Sequence, residues 1–183
     1  VGGMAAVLGL SYKDVGALVD ACNDERYYCV AANDNSDGQV VLSGHIQAIE
    51  KAVEIASEFG AKRCLKLPVS APFHSPLMQS AAEKMARAFM EVEAHDAQIP
   101  IVANVLAAPE TEKKEIIKNL IEQVTGTVRW RETMAFFSAN GITDLVELGA
   151  GKVLSGMAKR SLKEVNSVSV CSVQDIEELA KNL

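Results

Sequence analysis

The turn cluster Asn33-Asp34-Asn35-Ser36-Asp37-Gly38 constrains this chain more than any other stretch. It stands between two runs rich in β-formers, Tyr27 to Ala32 and Gln39-Val40-Val41-Leu42-Ser43. Two strands joined by so short a turn must lie side by side and antiparallel, as a hairpin. On the N-terminal side, Ser11 caps a predicted helix with Val15, Leu18, Val19 and Cys22 on one face. On the other side a second helix starts at His45, turns Ile46, Ile49, Val53 and Ala56 inward, and stops at Gly60. Outside these helices lie two further strands. One is the apolar run Met4 to Leu10; the other is Ala61 to Val69, which alternates at Cys64, Leu65 and Leu67. The predicted order from Gly3 to Val69 is therefore β-α-β-β-α-β, a ferredoxin-like arrangement.

The pattern changes in the stretch Pro68-Val69-Ser70-Ala71-Pro72-Phe73-His74-Ser75-Pro76-Leu77-Met78. A Pro-bounded turn leads there into a predicted helix, with Ser75 at the N-cap and Pro76 at the first helical position. That helix runs to Glu93 and buries Leu77, Ala81, Met85, Phe89 and Val92. A buried strand is predicted over Ile99 to Val105, then helices over Glu110 to Val124 and Arg129 to Asn140. Strand Ile142 to Leu148, a helix with Val153, Leu154 and Met157, strand Val168 to Val173 and helix Gln174 to Leu183 complete the chain. Strands alternating with helices imply a parallel sheet with helices on its faces, here of about three strands and therefore incomplete. The fold class read from the residues is α/β, divided at 1–69 and 70–183. Gly149-Ala150-Gly151 fails as a dinucleotide fingerprint, because the third glycine would fall at Val153 or Leu154. Those glycines are expected to allow close backbone approach at the end of the preceding strand.

His74 is the residue with the most chemistry in reach, held between Pro72 and Pro76. A neutral imidazole can act as a general base, but the same position also suits a surface or capping residue. A base needs a Ser or Cys nucleophile and a third group that orients the ring. Cys22, Cys29, Cys64 and Cys171 show neither zinc-ligand nor redox spacing, so buried free thiols in a reducing cytoplasm are expected and no metal site. The net charge of −6 argues against general nucleic-acid binding. No apolar run is long enough to span a bilayer and no signal peptide is visible, so no membrane association and a cytoplasmic location are expected. The sequence opens directly on strand-forming residues without Met, and is expected to be a piece of something longer.

Several segments, in order, resemble the malonyl-CoA:acyl-carrier-protein transacylases of bacterial fatty acid synthesis. They are Gly3-Met4-Ala5-Ala6-Val7-Leu8-Gly9, Asn33 to Asn35 with Gly38-Gln39-Val40-Val41, Gly44-His45, and Leu67 to His74. They continue through Pro100-Ile101-Val102-Ala103-Asn104-Val105, Val128-Arg129-Trp130, and Glu147 to Leu154. The resemblance implies a ferredoxin-like subdomain inserted in an α/β-hydrolase-like acyltransferase subdomain, of which 70–183 is the C-terminal part. It implies transfer of a malonyl group from coenzyme A, through a seryl ester, to the phosphopantetheine thiol of acyl carrier protein. His74 falls on the family's catalytic base, and Gln123 on the residue whose backbone carbonyl orients the other ring nitrogen. Asn33 and Asn35 fall on residues at the site mouth, and Phe73 near the malonyl pocket. No bound cofactor is implied, the substrates being malonyl-CoA and the phosphopantetheinylated carrier protein, and a monomer is expected.

One departure matters. The sequence contains no G-x-S-x-G; Ser43-Gly44-His45 and Leu154-Ser155-Gly156 lack the pattern. The resemblance places that Ser, and the Arg that binds the malonyl carboxylate, upstream of Gly2. These residues alone are accordingly expected not to transfer malonate. Two other readings stay open: a ferredoxin-like binding module without chemistry, and a polyketide-type extender acyltransferase. Lys62, Arg63 and Lys66, and again Lys152, Lys159, Arg160 and Lys163, form basic clusters suited to an acidic carrier protein and to coenzyme A phosphates. They suit ordinary solvated faces equally well.

Overall fold

The computed structural model describes residues 2–162 and 164–181. Lys163 and the last two residues of the predicted C-terminal helix, Asn182 and Leu183, lie outside them. The chain is α/β. Its elements run β1 (Gly2–Leu8), α1 (Tyr12–Cys22), β2 (Cys29–Ser36), β3 (Gln39–His45), α2 (Ile46–Ile55), β4 (Arg63–Lys66), α3 (Gln79–Phe89), β5 (Ile101–Val102) and β6 (Pro109–Glu110). They continue with α4 (Lys113–Glu122), α5 (Trp130–Ala139), β7 (Asp144–Leu148), α6 (Val153–Ser161), β8 (Asn166–Val170) and α7 (Val173–Ala180). Internal contacts group the chain into two compact units, Val1–Thr133 and Met134–Leu183.

In the first unit, β1 to β4 form one antiparallel sheet in the order β2-β3-β1-β4. The predicted β-α-β-β-α-β succession is the one observed. Strand alternation sorts the side chains onto two faces. Ala5, Val7, Val40 and Leu42 pack with Val15 and Leu18 of α1 and Ile49 and Ala52 of α2 in the principal core. Met4, Ala32 and Val41 point the other way and meet Leu67 in a smaller cluster. Ser11 accepts from the Asp14 N–H, the cap that starts α1. Gly60 closes the helical stretch after α2 at φ 91°, a left-handed conformation that costs a residue with a Cβ. The stripe of α2 is shifted from its expected position: Ala48, Ile49 and Ala52 are buried, and Val53 is exposed.

The turn cluster is shorter than its composition suggests. Asn33 to Ser36 belong to β2, and only Asp37 and Gly38 turn. Two register shifts, between Ala31 and Asn33 and between Asp34 and Ser36, accommodate these poor strand formers as bulges. Tertiary partners hold them extended. The Asp34 N–H donates to the Val128 carbonyl, and Arg131 binds the buried Asp34 carboxylate at 2.9 and 3.1 Å through Nε. β2 also starts later than expected, at Cys29, because the Asp24 carboxylate accepts the N–H groups of Arg26 and Tyr27 in a local turn.

Between β4 and α5 the expectations need more correction. The helix read from Ser75 to Glu93 is a 3-10 turn at Pro76–Met78 followed by α3, with Ala82 buried and Met85 and Val92 exposed. Ser75 makes no side-chain cap. The strand expected over Ile99 to Val105 has two residues, paired antiparallel with β6. It stops where Leu106 and Ala107 both donate back to the Ala103 carbonyl, with Ala107 at φ 54°. A tight turn therefore replaces the rest of that strand.

In the second unit β7 and β8 pair in parallel, as the alternation of strands and helices predicts. Among the described residues this sheet has two strands, because β5 pairs elsewhere. Glu147 on β7 accepts the N–H groups of Leu154 and Ser155, which holds its carboxyl below the usual glutamate range. Gly149 and Gly151 adopt φ 130° and 93°, and a Cβ at either would meet nothing within 4 Å. They serve a left-handed backbone, not the close approach expected of them. Ser172 and Asp175 start α7 with a reciprocal capping box.

Candidate active site

His74 sits at φ 56° in the loop between β4 and α3. A non-glycine residue there is strained, and the surroundings must enforce it. Ser75 does so. It is fully buried, and its hydroxyl donates to the Pro72 carbonyl at 2.6 Å, closing the turn around His74. The serine expected to cap a helix is thus spent on the turn itself.

The half-buried imidazole points its Nδ1 at the backbone carbonyl of Gln123, 2.7 Å away. Helix geometry explains why that oxygen is free. Gln123 is the C-cap of α4, and the last carbonyls of a helix lack intrahelical partners. A carbonyl can only accept, so Nδ1 carries the proton of the neutral ring and Nε2 presents its lone pair. A histidine held this way can take a proton at Nε2, pass it on, and keep its orientation throughout. The acceptor is neutral, where a triad would use a carboxylate.

The Gln123 side chain is also fixed. Its Oε1 accepts from Asn104 Nδ2 at 2.8 Å. Both residues line a cleft of about 310 Å³, whose apolar walls include Ile101, Ile116 and Leu120. Asn119 lines the same cleft, buried, with its Nδ2 unpartnered among the described residues.

Of the residues singled out in the sequence, His74 and Gln123 are brought into direct contact. Asn33 and Asn35 lie on β2, where Asn33 forms a parallel bridge to Val128. Among the described residues neither is hydrogen-bonded to His74. Phe73 adjoins His74 with its side chain exposed. Burial pushes the Cys29 thiol up to about 12 and the Cys64 thiol up to about 11, so neither supplies a thiolate nucleophile at neutral pH. No group of three or more His, Cys, Asp or Glu among the described residues is placed to hold a metal ion. No helix among them is long and apolar enough to cross a membrane. Sequence reasoning assigned no role to Asn104 or Arg129. Spacing offered one signal, Arg129 and Glu132 at i, i+3, a pair that does form an ion pair.

An α/β chain with a carbonyl-oriented histidine invites comparison with acyl-transfer enzymes. No family model matches the chain. Individual relatives do. It is 40% identical over 176 residues to the malonyl CoA-acyl carrier protein transacylase of Bacillus subtilis (strain 168), covering 96% of this chain and 56% of that protein. The acyl-carrier-protein-S-malonyltransferase of Bartonella henselae superposes with a TM-score of 0.91 at 46% identity, over 99% of this chain and 57% of that one. A malonyl-transacylase solved in complex with a type II PKS acyl-carrier protein superposes with a TM-score of 0.91 at 32% identity, over 100% of this chain and 59% of the other. The chain is a homologue of the malonyl CoA-acyl carrier protein transacylases, and the resemblance read from its sequence is borne out along its length. It spans somewhat over half the length of these relatives.

Proposed function

We propose that this chain carries the general-base part of a malonyl-CoA:acyl-carrier-protein transacylase site, with His74 as base and the Gln123 carbonyl as its orienting acceptor. The observation that carries the reading is the 2.7 Å contact of His74 Nδ1 with that carbonyl. Supporting it is the similarity to transacylases over 96% of the chain. Nε2 takes the proton of a serine hydroxyl while its Oγ attacks the malonyl thioester carbonyl. The tetrahedral intermediate collapses, the C–S bond breaks, and the coenzyme A sulfur leaves with the proton from Nε2. In the second half, the phosphopantetheine S–H gives its proton to Nε2 and the sulfur attacks the seryl ester. The C–O bond breaks and the serine oxygen recovers the proton. These residues contain no G-x-S-x-G elbow, so by themselves they transfer no malonate.

The remaining assignments follow the same reading. Residues 1–69 form a ferredoxin-like subdomain, and 70–183 are part of a larger α/β-hydrolase-like subdomain. This division follows element order rather than contact density. Asn33 and Asn35 border the site mouth, and Phe73 favours malonyl over branched acyl groups. The protein works as a cytoplasmic monomer without a bound cofactor, and acyl carrier protein is the partner. Lys159 and Arg160, both exposed at the end of α6, attract it.

Intact mass tests the base assignment. The 183-residue protein exposed to malonyl-CoA keeps its mass. A protein that also carries the serine elbow gains one malonyl group, and its His74→Ala variant transfers that group about 10²- to 10⁴-fold more slowly. A malonyl adduct on the 183-residue protein, or full activity in the His74→Ala enzyme, overturns the reading. In the serine-bearing enzyme, Lys159→Glu with Arg160→Glu slows carrier-protein transfer and flattens its salt dependence. Unchanged low-salt rates would remove the docking role.

A further inference from the structure

We propose that Asn104 is a positioning residue for His74, acting through the side chain of Gln123. The inference rests on His74 being the working base, and its link is a chain of short contacts. His74 Nδ1 meets the Gln123 carbonyl at 2.7 Å, and Gln123 Oε1 accepts from Asn104 Nδ2 at 2.8 Å. One residue is therefore gripped at both its main chain and its side chain. That matters because Gln123 ends α4, and the last turn of a helix is where a peptide plane can rotate. Rotation would swing the carbonyl away from Nδ1 and release the ring to its other tautomer.

Asn104 is itself anchored. Its carbonyl accepts the Arg129 N–H at 2.9 Å. The Arg129 guanidinium donates from Nη1 to the Val105 and Leu106 carbonyls, at 3.3 and 3.2 Å, and from Nε to Glu132 at 2.9 Å. The turn that replaces the second half of the predicted strand is thus braced by an ion pair, and it delivers Asn104 to the end of α4. The amide pair is part-buried at the wall of the adjoining cleft, beside Ile101, Ile116 and Leu120.

The test reads the ring directly, in ¹⁵N-histidine spectra of the 183-residue protein. His74 shows the Nδ1-protonated neutral form. Asn104→Leu and Gln123→Met each remove the same amide contact, and each shifts the tautomer ratio about fivefold toward Nε2-protonated imidazole, the scale of one net hydrogen bond. The double variant shifts it no further than either alone, because both act on one contact. Gln123→Glu keeps the parent ratio, since a carboxylate oxygen still accepts from Asn104. His45 and His95 report that the effect is local. A folded Asn104→Leu or Gln123→Met variant with the parent ratio overturns the proposal, so either variant suffices if the other fails to fold. Transfer by a serine-bearing enzyme that proves indifferent to His74 would remove the catalytic reading and leave this tautomer result standing.

Discussion

The β1–β4 sheet with its two helices and the stretch from Pro68 to Thr133 are built on different principles. In the first, Val7, Val15, Leu18, Leu42 and Ile49 are fully buried in one continuous core. In the second, burial is thin. Met90 is 81% exposed and Ile99 79%, while the buried residues include Ser75 and Asn119. What orders the second region near His74 is a set of directed polar contacts: Ser75 to Pro72, His74 to Gln123, Gln123 to Asn104, Arg129 to the 105–106 carbonyls. A packed core tolerates small angular errors, but a base does not. Hydrogen bonds fix direction in a way that dispersion forces cannot.

Substitutions can break this contrast. Ile49→Ala opens a cavity in the principal core and should cost about 2–5 kcal/mol in urea unfolding. A loss below about 1 kcal/mol would mean the core is less tightly packed than its burial implies. Next in size is an acid-side effect in the site region. The Arg129 guanidinium beside Glu132 holds that carboxyl below its ordinary value. A lowered folded-state pKa adds stability above the unfolded-state value, and that stability is lost as pH falls through the folded one. Glu132→Gln should therefore lower stability at neutral pH and make the acid side of the profile flatter. An identical profile would disconnect the ion pair from the turn it braces. The smallest effect belongs to the exposed apolar side chains: Met90→Ser should change stability by about 0.5 kcal/mol or less. A larger change would show that Met90 is covered in solution.

The β-α-β-β-α-β order was legible because it rests on local signals. Turn residues punctuate it, Gly60 stops a helix, and alternation marks the strands. His74 and Gln123 were legible in another way, through resemblance; nothing in spacing alone pairs residues 49 positions apart. The helix from Ser75 and the strand to Val105 are overextended for one reason: pattern extends an element as far as its apolar residues recur, and does not register a carbonyl captured by a local turn, as at Pro72 and Ala103. The Asn33-to-Ser36 segment failed in the opposite sense. Its composition reads as turn, yet Val128 and Arg131 supply the partners that keep it extended.

By itself, then, the sequence determined the element order, the two helix faces of the principal core to within a shift of the α2 stripe, and that these 183 residues hold no G-x-S-x-G elbow. These are properties of composition and period along the chain. Only the tertiary structure decided which nitrogen of His74 faces the Gln123 carbonyl, what fixes the Gln123 side chain, and why Asn104 stands where it does. Those depend on a helix-end carbonyl and a turn being brought within about 3 Å of their partners, the range in which a hydrogen bond acts.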